Sequence, residues 1–200
     1  MKIVVLAAQP GEDIRYLGGS LAKWAAQGAD IHIAYYSLGE SKAQNESLQL
    51  LAQSKRAVKV LGVNPENLHV LDQQVDDVTP NSMASAIQNL LTDLQPQRLI
   101  LPPTNSRSHA SRLLLSAAEM ALHPVCTIAQ VLHMQGQLWR VDISEHLLDK
   151  QDAMTAFDIE PHYFPHPYSP EAIEVNAQAT GSHVNLLAAE GFDIWQVIEA

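Results

Sequence analysis

The chain has 200 residues, of which 46% are hydrophobic and 17% charged, and its net charge is −10. This composition provides apolar material for one sizeable core and excludes a disordered chain. The negative charge and the lack of any basic run argue against a nucleic-acid partner, because a phosphate backbone demands clustered lysine and arginine.

No stretch reaches the roughly 18 apolar residues that a membrane span needs. The short apolar run from Ile3 to Ala8 leads directly into an acidic loop, which is not the pattern of a secretion signal. We therefore expect a cytoplasmic protein without a membrane partner. The single cysteine, Cys126, cannot form an internal disulfide, and its apolar neighbours favour a buried thiol on a strand.

Apolar runs of strand length alternate with helical patterns along the first two thirds of the chain. This alternation predicts an α/β fold, a Rossmann-like three-layer α/β/α arrangement with a mostly parallel sheet. The loops after the first, second and fourth strands should meet at one edge of that sheet, where ligands bind in such folds. The predicted strands are 3–8, 31–36, 68–71 and 98–101, and the predicted helices are 21–27, 46–61, 83–94 and 111–122.

The last third has a different pattern. Two strands, 125–134 and 137–143, are predicted to form a hairpin that turns at Gln135-Gly136. A helix over 145–157, a proline-rich loop over 161–170, a helix over 171–179 and a strand over 192–198 follow. The loop aromatics Tyr163, Phe164 and Tyr168 either pack on the core or form an interface. Because no linker or repeat is visible, we expect one domain over residues 1–200.

The residues do not form any common catalytic motif. None of the nine histidines lies at HxxH spacing, and the prolines around His162 and His166 deny that pair helical geometry. No dinucleotide fingerprint, P-loop or nucleophile elbow is present. Glu12 and Asp13, after the first strand, are the best polar candidates; alternatively they are solvated acids paired with Arg15.

Six segments carry a family resemblance: Ile3 to Leu21 with IVVLAAQPGEDIRYLGGSL, 37–40 SLGE, 61–63 LGV, 99–112 LILPPTNSRSHASR, 150–156 KQDAMTA and 177–192 AQATGSHVNLLAAEGF. In this order they resemble the motifs A-H-P-D-D-E with G-G-[ST]-L, T-D-G-E, L-G-V, R-H-P-D-H-R, K-x-x-A-L-x-A and A-R-x-R-G…A-E-x-F. These motifs belong to the LmbE-like (PIG-L-like) de-N-acetylases, which use zinc to remove acetyl groups from N-acetylglucosamine conjugates.

The resemblance implies a zinc site whose key positions are substituted in this chain. The family's ligand positions fall at Gln9, Glu12 and Ser111, and its general-base position falls at Gly11. Zinc catalysis needs about three protein ligands and an open water position, and glycine cannot take a proton. We therefore expect no catalytic residue and no metal cofactor. Further departures are Ser108 for the assisting histidine, Leu38 for the aspartate of T-D-G-E, and Ile159-Glu160 for the S-Q pair after the K-x-x-A-L helix.

The resemblance leaves three functional interpretations. The first is a non-catalytic relative that binds a sugar conjugate or an anionic small molecule, or a protein partner. The second is an active hydrolase that removes an acetyl group from an N-acetylglucosamine-type conjugate without metal or through an altered zinc site. The third is a structural subunit that pairs with itself, as a homo-oligomer, or with an active paralogue.

The pocket for the first interpretation is expected at the edge that the strand ends share. Arg15 is expected to balance the charges of the two neighbouring acids, and Arg107 and Arg112 match family arginines. The second interpretation would recruit His109 as a ligand. The complete set of candidate pocket residues is Gln9, Gly11, Glu12, Asp13, Arg15, Arg107, Ser108, His109 and Ser111.

Overall fold

The computed structural model describes residues 1–38, 44–72, 79–122, 128–157 and 162–199. Within these ranges lie six strands and six α-helices. In chain order they are β1 (Lys2–Ala7), α1 (Glu12–Ala26), β2 (Asp30–Tyr35), α2 (Gln44–Val60), β3 (Leu68–Val70), α3 (Pro80–Leu94), β4 (Arg98–Leu101), α4 (His109–Leu122), β5 (Gln130–Asp142), α5 (Leu147–Phe157), α6 (Pro170–Ser182) and β6 (Ala189–Val197).

The six strands form one sheet in the order β3-β2-β1-β4-β5-β6. The neighbours from β3 to β5 are parallel, and β6 joins β5 in the antiparallel direction. The predicted α/β class with a mostly parallel sheet is therefore confirmed. Since β1 lies between β2 and β4, the chain segments that follow these three strands start from the same edge of the sheet.

Two apolar cores cover the two faces of the sheet. Ile3, Val5 and Ala7 of β1 pack on one face with residues of α1, α2 and α5. Val4 and Leu6 point to the opposite face, where α3 and α4 supply the partners. This alternation is the period of two that a strand imposes, and burial on both faces explains the continuous apolar runs of the sequence.

The first helix begins much earlier than the sequence suggested. It starts at Glu12, whereas the prediction placed its start after Gly18-Gly19. Both glycines lie inside α1 because neighbouring side chains approach it closely: a Cβ at Gly18 would lie 2.8 Å from Lys150 Cγ, and one at Gly19 would lie 2.6 Å from Ile143 Cδ1. Tertiary packing therefore outweighs the weak helix propensity of glycine here.

The predicted hairpin at Gln135-Gly136 is wrong. Residues 130–142 form the single strand β5, which pairs with β6 on both sides of a register shift between Met134 and Trp139. Gln135 has a φ of 61°, and the Asp193 carboxylate accepts a hydrogen bond from the Gln137 N–H at 2.7 Å. The turn-like dipeptide is therefore a bulge that is stabilised from the partner strand.

Among the described residues, no helix is both long and apolar enough to cross a bilayer. Cys126 lies outside the described residues, as do Ile159-Glu160 and the first residues of the predicted strand 125–134.

Candidate functional site

The edge where β1 and β4 end carries the family-motif positions. The segment after β1 is short and leads through Gly11 into α1, while the longer segment after β4 leads into α4. Because the two strands are parallel neighbours, the amino ends of these two helices start from the same edge. This places the predicted pocket residues at one end of the sheet, on two elements.

Aromatic rings fill the space beside the family's general-base position. Gly11 has a φ of +92°, and a Cβ built on it would lie 2.9 Å from Phe157 Cε1 and 3.2 Å from Tyr168 Cε1. Phe157 ends α5, and Tyr168 lies in the proline-rich loop before α6. A side chain at position 11 would therefore require both a strained backbone and displacement of the rings.

Glu12 turns back toward the strand that precedes it. Its Oε2 accepts a hydrogen bond from the Ala8 N–H at 3.0 Å. Burial raises the pKa of the Glu12 carboxyl, while the backbone N–H groups of Ala8 and Gln9 and the charge of Arg15 lower it. This carboxylate already has a backbone partner and lies beside Gln9, whose side chain is exposed.

Asp13 is fully buried, so the prediction of a solvated acid is wrong for this residue. Its Oδ1 accepts from the Gly11 N–H at 3.0 Å, and its Oδ2 accepts from the Tyr35 hydroxyl at 3.1 Å. Burial raises the pKa of Asp13 to about 6, and these hydrogen bonds oppose that rise. Asp13 thus ties the start of α1 to the end of β2.

Arg15 has aromatic neighbours. Its guanidinium carbon lies 4.9 Å from the centre of the Tyr16 ring and 5.4 Å from that of Tyr168. Its charge lowers the pKa of Glu12, whereas the contacts of Asp13 run to Gly11 and Tyr35. The prediction that Arg15 offsets the charges of both acids therefore holds for Glu12. The Asp13 carboxylate accepts its hydrogen bonds from neutral donors instead.

The start of α4 carries the remaining predicted residues. Arg107 and His109 are exposed, whereas Ser108 is half-buried and its hydroxyl oxygen accepts from the Ser111 N–H at 3.3 Å. Ser111 is buried, and its own hydroxyl has no hydrogen-bond partner within the described part of the chain. Ser108 thus acts as an N-terminal cap of α4.

The donor set at this edge does not fit zinc. Glu12 offers a carboxylate, Gln9 an amide and Ser111 a hydroxyl, whereas zinc sites in proteins use imidazole, thiolate and carboxylate ligands. Nowhere in the described ranges do three His, Cys, Asp or Glu residues come together as ligands. We therefore assign no chemical step at this edge to a metal.

A buried ion pair joins α5 to β6. Lys150 Nζ lies 2.6 Å from Glu190 Oε1, and both side chains are almost fully buried. The same carboxylate accepts from the Gly19 N–H at 3.0 Å and from the Ser20 N–H at 2.7 Å. Three of the segments that carry the family resemblance therefore meet here, and in this chain they have a structural role.

A cavity of about 630 Å³ lies between α1, α6 and the β5–β6 pair. Of the predicted pocket residues in the described ranges, Arg15 alone lines it. Its other main contributors could not be predicted from the sequence, because the bulge in β5 and the packing of α6 bring together residues that are distant in the chain. They include Tyr16, Arg140, Asn176, Thr180 and His183.

Three aromatic neighbours of the motif positions, Tyr35, Phe157 and Tyr168, were not predicted from the sequence. No local pattern marks them, because each contact joins segments far apart in the chain. Among the loop aromatics, Tyr163 and Phe164 are 77% and 61% exposed, while Tyr168 packs inward.

Comparison with known proteins agrees with this fold. The family PIG-L: GlcNAc-PI de-N-acetylase matches residues 4–116, which is more than half of the chain. The chain therefore belongs to the PIG-L (LmbE-like) family. No curated protein matches it in a sequence search.

Several solved structures share the fold at low identity. The conserved protein TT1542 from Thermus thermophilus has a TM-score of 0.75 and 19% identity, covering 99% of this chain and 96% of its own. The N,N'-diacetylchitobiose deacetylase from Pyrococcus horikoshii has a TM-score of 0.76 and 16% identity, covering 96% and 83%. GalB, the 4-carboxy-2-hydroxymuconate hydratase from Pseudomonas putida, has a TM-score of 0.74 and 14% identity, covering 100% and 98%. At these identities the likeness concerns the fold alone.

Proposed function

We propose that this chain is a non-catalytic member of the PIG-L family, which keeps the fold and binds a sugar conjugate or another small molecule, or a protein partner. The observation that carries the proposal is the packing of Phe157 and Tyr168 against Gly11. The family's base position lacks a side chain, and aromatic rings fill the space that such a side chain would need. A hydrolase cannot activate water at this position without a proton acceptor.

The state of the surrounding residues supports the same proposal. Glu12 is the one anionic group among the family's three ligand positions, and a backbone N–H already binds it. Asp13 is held by Tyr35 and is buried, so it is placed to organise the fold rather than to meet a substrate. The hydratase GalB, which shares this fold, is a reminder that the fold does not fix a reaction.

The experiment is a deacetylation assay on the intact chain after incubation with zinc and desalting. N-acetylglucosamine and N,N'-diacetylchitobiose serve as probes, and released acetate is measured. The matched variants are Glu12→Gln, which removes the anionic donor, and Glu46→Gln, which makes the same charge change at an exposed position of α2.

We expect acetate release at the level of the protein-free control for all three chains. Release that exceeds this control, disappears in Glu12→Gln and persists in Glu46→Gln would refute the proposal. That result would instead support an active hydrolase with an altered metal site.

A further inference from the structure

The cavity between α1, α6 and the β5–β6 pair carries positive charge in an otherwise acidic protein. Two guanidinium groups, those of Arg15 and Arg140, line it together with Lys150 and Glu190. The last two form an ion pair at 2.6 Å, so their charges offset one another. Glu12, which offsets part of the charge of Arg15, does not line the cavity, so the lining itself carries a net positive charge that favours an anionic ligand.

The β5 bulge positions Arg140. Its Nη1 donates to the Gly136 carbonyl oxygen at 2.9 Å, across the register shift of the strand. Its Nε is buried and has no hydrogen-bond partner among the described residues. Because this atom is shielded, a ligand in the cavity would bind the terminal nitrogen atoms of the guanidinium, which the Gly136 contact orients.

Two aromatic rings hold Arg15 in place. Stacking over Tyr16 and Tyr168 orders its planar guanidinium, which leaves less conformational entropy to lose when an anion binds. Burial and the charge of Glu12 raise the pKa of Tyr168 to about 12, so this phenol stays neutral beside Arg15 at physiological pH.

Helix α6 supplies neutral oxygen atoms. Asn176 and Thr180 lie four residues apart, on one side of the helix, and both line the cavity. The Asn176 amide donates to Ala172 O at 2.7 Å, and the Thr180 hydroxyl donates to Asn176 O at 2.9 Å. Their side-chain oxygens can accept hydrogen bonds of the kind that sugar hydroxyls donate.

We infer that this cavity binds an anionic monosaccharide, a uronate or a sugar phosphate. Arg15 and Arg140 bind its carboxylate or phosphate, and α6 binds its hydroxyl groups. The cavity volume of about 630 Å³ lies within the usual range for small-molecule sites. This inference rests on the proposed binding function and names its site and ligand class. None of the positions Gln9, Glu12 and Ser111 lines the cavity.

The test is isothermal titration of the intact chain with glucuronate, glucose 6-phosphate, glucose and inorganic phosphate. The two anionic sugars are expected to bind at least about tenfold more tightly than glucose, and the better of them more tightly than phosphate. Arg15→Gln and Arg140→Gln should each weaken that binding by about tenfold or more. The matched control Arg56→Gln, at an exposed position of α2, should leave binding unchanged.

If Arg140→Gln does not fold, Arg140→Lys replaces it; we expect weaker binding because an ammonium lacks the planar fork. The inference is overturned if neither anionic sugar binds up to about 10 mM, far weaker than a specific site would show. It is also overturned if Arg56→Gln weakens binding as much as the cavity variants do, or if phosphate alone binds as tightly as both sugars. Acetate release in the deacetylation assay would refute the proposed non-catalytic function. It would not decide whether the cavity binds an anionic sugar, which the titrations measure.

Discussion

Replacing Gly11 with alanine should destabilise the protein more than the same replacement at Gly28. Both glycines have positive φ, +92° and +78°, so both variants carry the strain of an alanine in that region, about 1–2 kcal/mol. A Cβ at position 28 would meet nothing within 4 Å, whereas one at position 11 would lie 2.9 Å from a Phe157 carbon. Overpacking of this kind costs a further ~1–3 kcal/mol.

The assay is urea unfolding at neutral pH, with the free energy of unfolding compared among the variants. Adding Phe157→Leu removes the crowded ring atoms, so the Gly11→Ala loss should shrink by about 1 kcal/mol in that background. Phe157→Leu alone and Gly28→Ala with Phe157→Leu complete the comparison. Equal losses at the two glycines, with no coupling to Phe157, would refute the idea that the ring fills the base position.

Three further predictions follow from buried polar groups. Lys150→Met should cost about 3–5 kcal/mol in urea unfolding, because it leaves the Glu190 carboxylate buried without its cation. Asp13 should lower wild-type stability by about 2 kcal/mol between pH 4 and pH 7, and Asp13→Asn should remove that contribution. Arg98→Lys should cost about 1–2 kcal/mol and change tryptophan emission, because the Arg98 guanidinium lies 4.8 Å from the Trp24 ring.

The sign for Asp13 follows from its raised pKa. The folded chain holds this proton up to about pH 6, whereas the unfolded chain releases it near pH 3.8. The folded state is therefore favoured below that lower value, and the advantage is lost as the pH rises through 6. An unchanged pH profile in Asp13→Asn would contradict this reasoning, as would a loss below about 1 kcal/mol in Lys150→Met or unchanged emission in Arg98→Lys.

The sequence predicted the sheet well because its strands are covered on both faces. A continuous apolar run such as Val4 to Leu6 indicates a strand that is buried on both faces, and both faces of β1 are buried in the structure. The order of the motifs also identified the family, and the match over residues 4–116 confirms it. The order of the strands in the sheet could not be predicted, because it depends on contacts between segments that are distant in the sequence.

The wrong predictions share one physical cause, which is contact with distant segments. Gly18-Gly19 resembles a helix start, yet both residues lie within α1 because Ile143 and Lys150 pack against them. Gln135-Gly136 resembles a hairpin turn, yet β6 stabilises it as a bulge. Asp13 resembles a surface acid, yet the Tyr35 hydroxyl binds it in the interior.

The candidate site was predictable in part. The motif positions lie at the expected edge of the sheet, but the cavity lies elsewhere, and its second arginine, Arg140, carries no motif. Its place depends on the bulge in β5, which local sequence patterns did not reveal. The sequence shows that position 11 has no side chain, but it does not show the Phe157 ring that fills the space beside it.

The most direct measurement is the zinc content of the purified chain, determined by elemental mass spectrometry before and after zinc incubation and desalting. Because the family's ligand positions hold Gln9, Glu12 and Ser111, the account predicts zinc far below one ion per chain in both samples. Glu12→Gln should give the same low value. Near-stoichiometric zinc that is lost in Glu12→Gln and retained in Glu46→Gln would contradict the account.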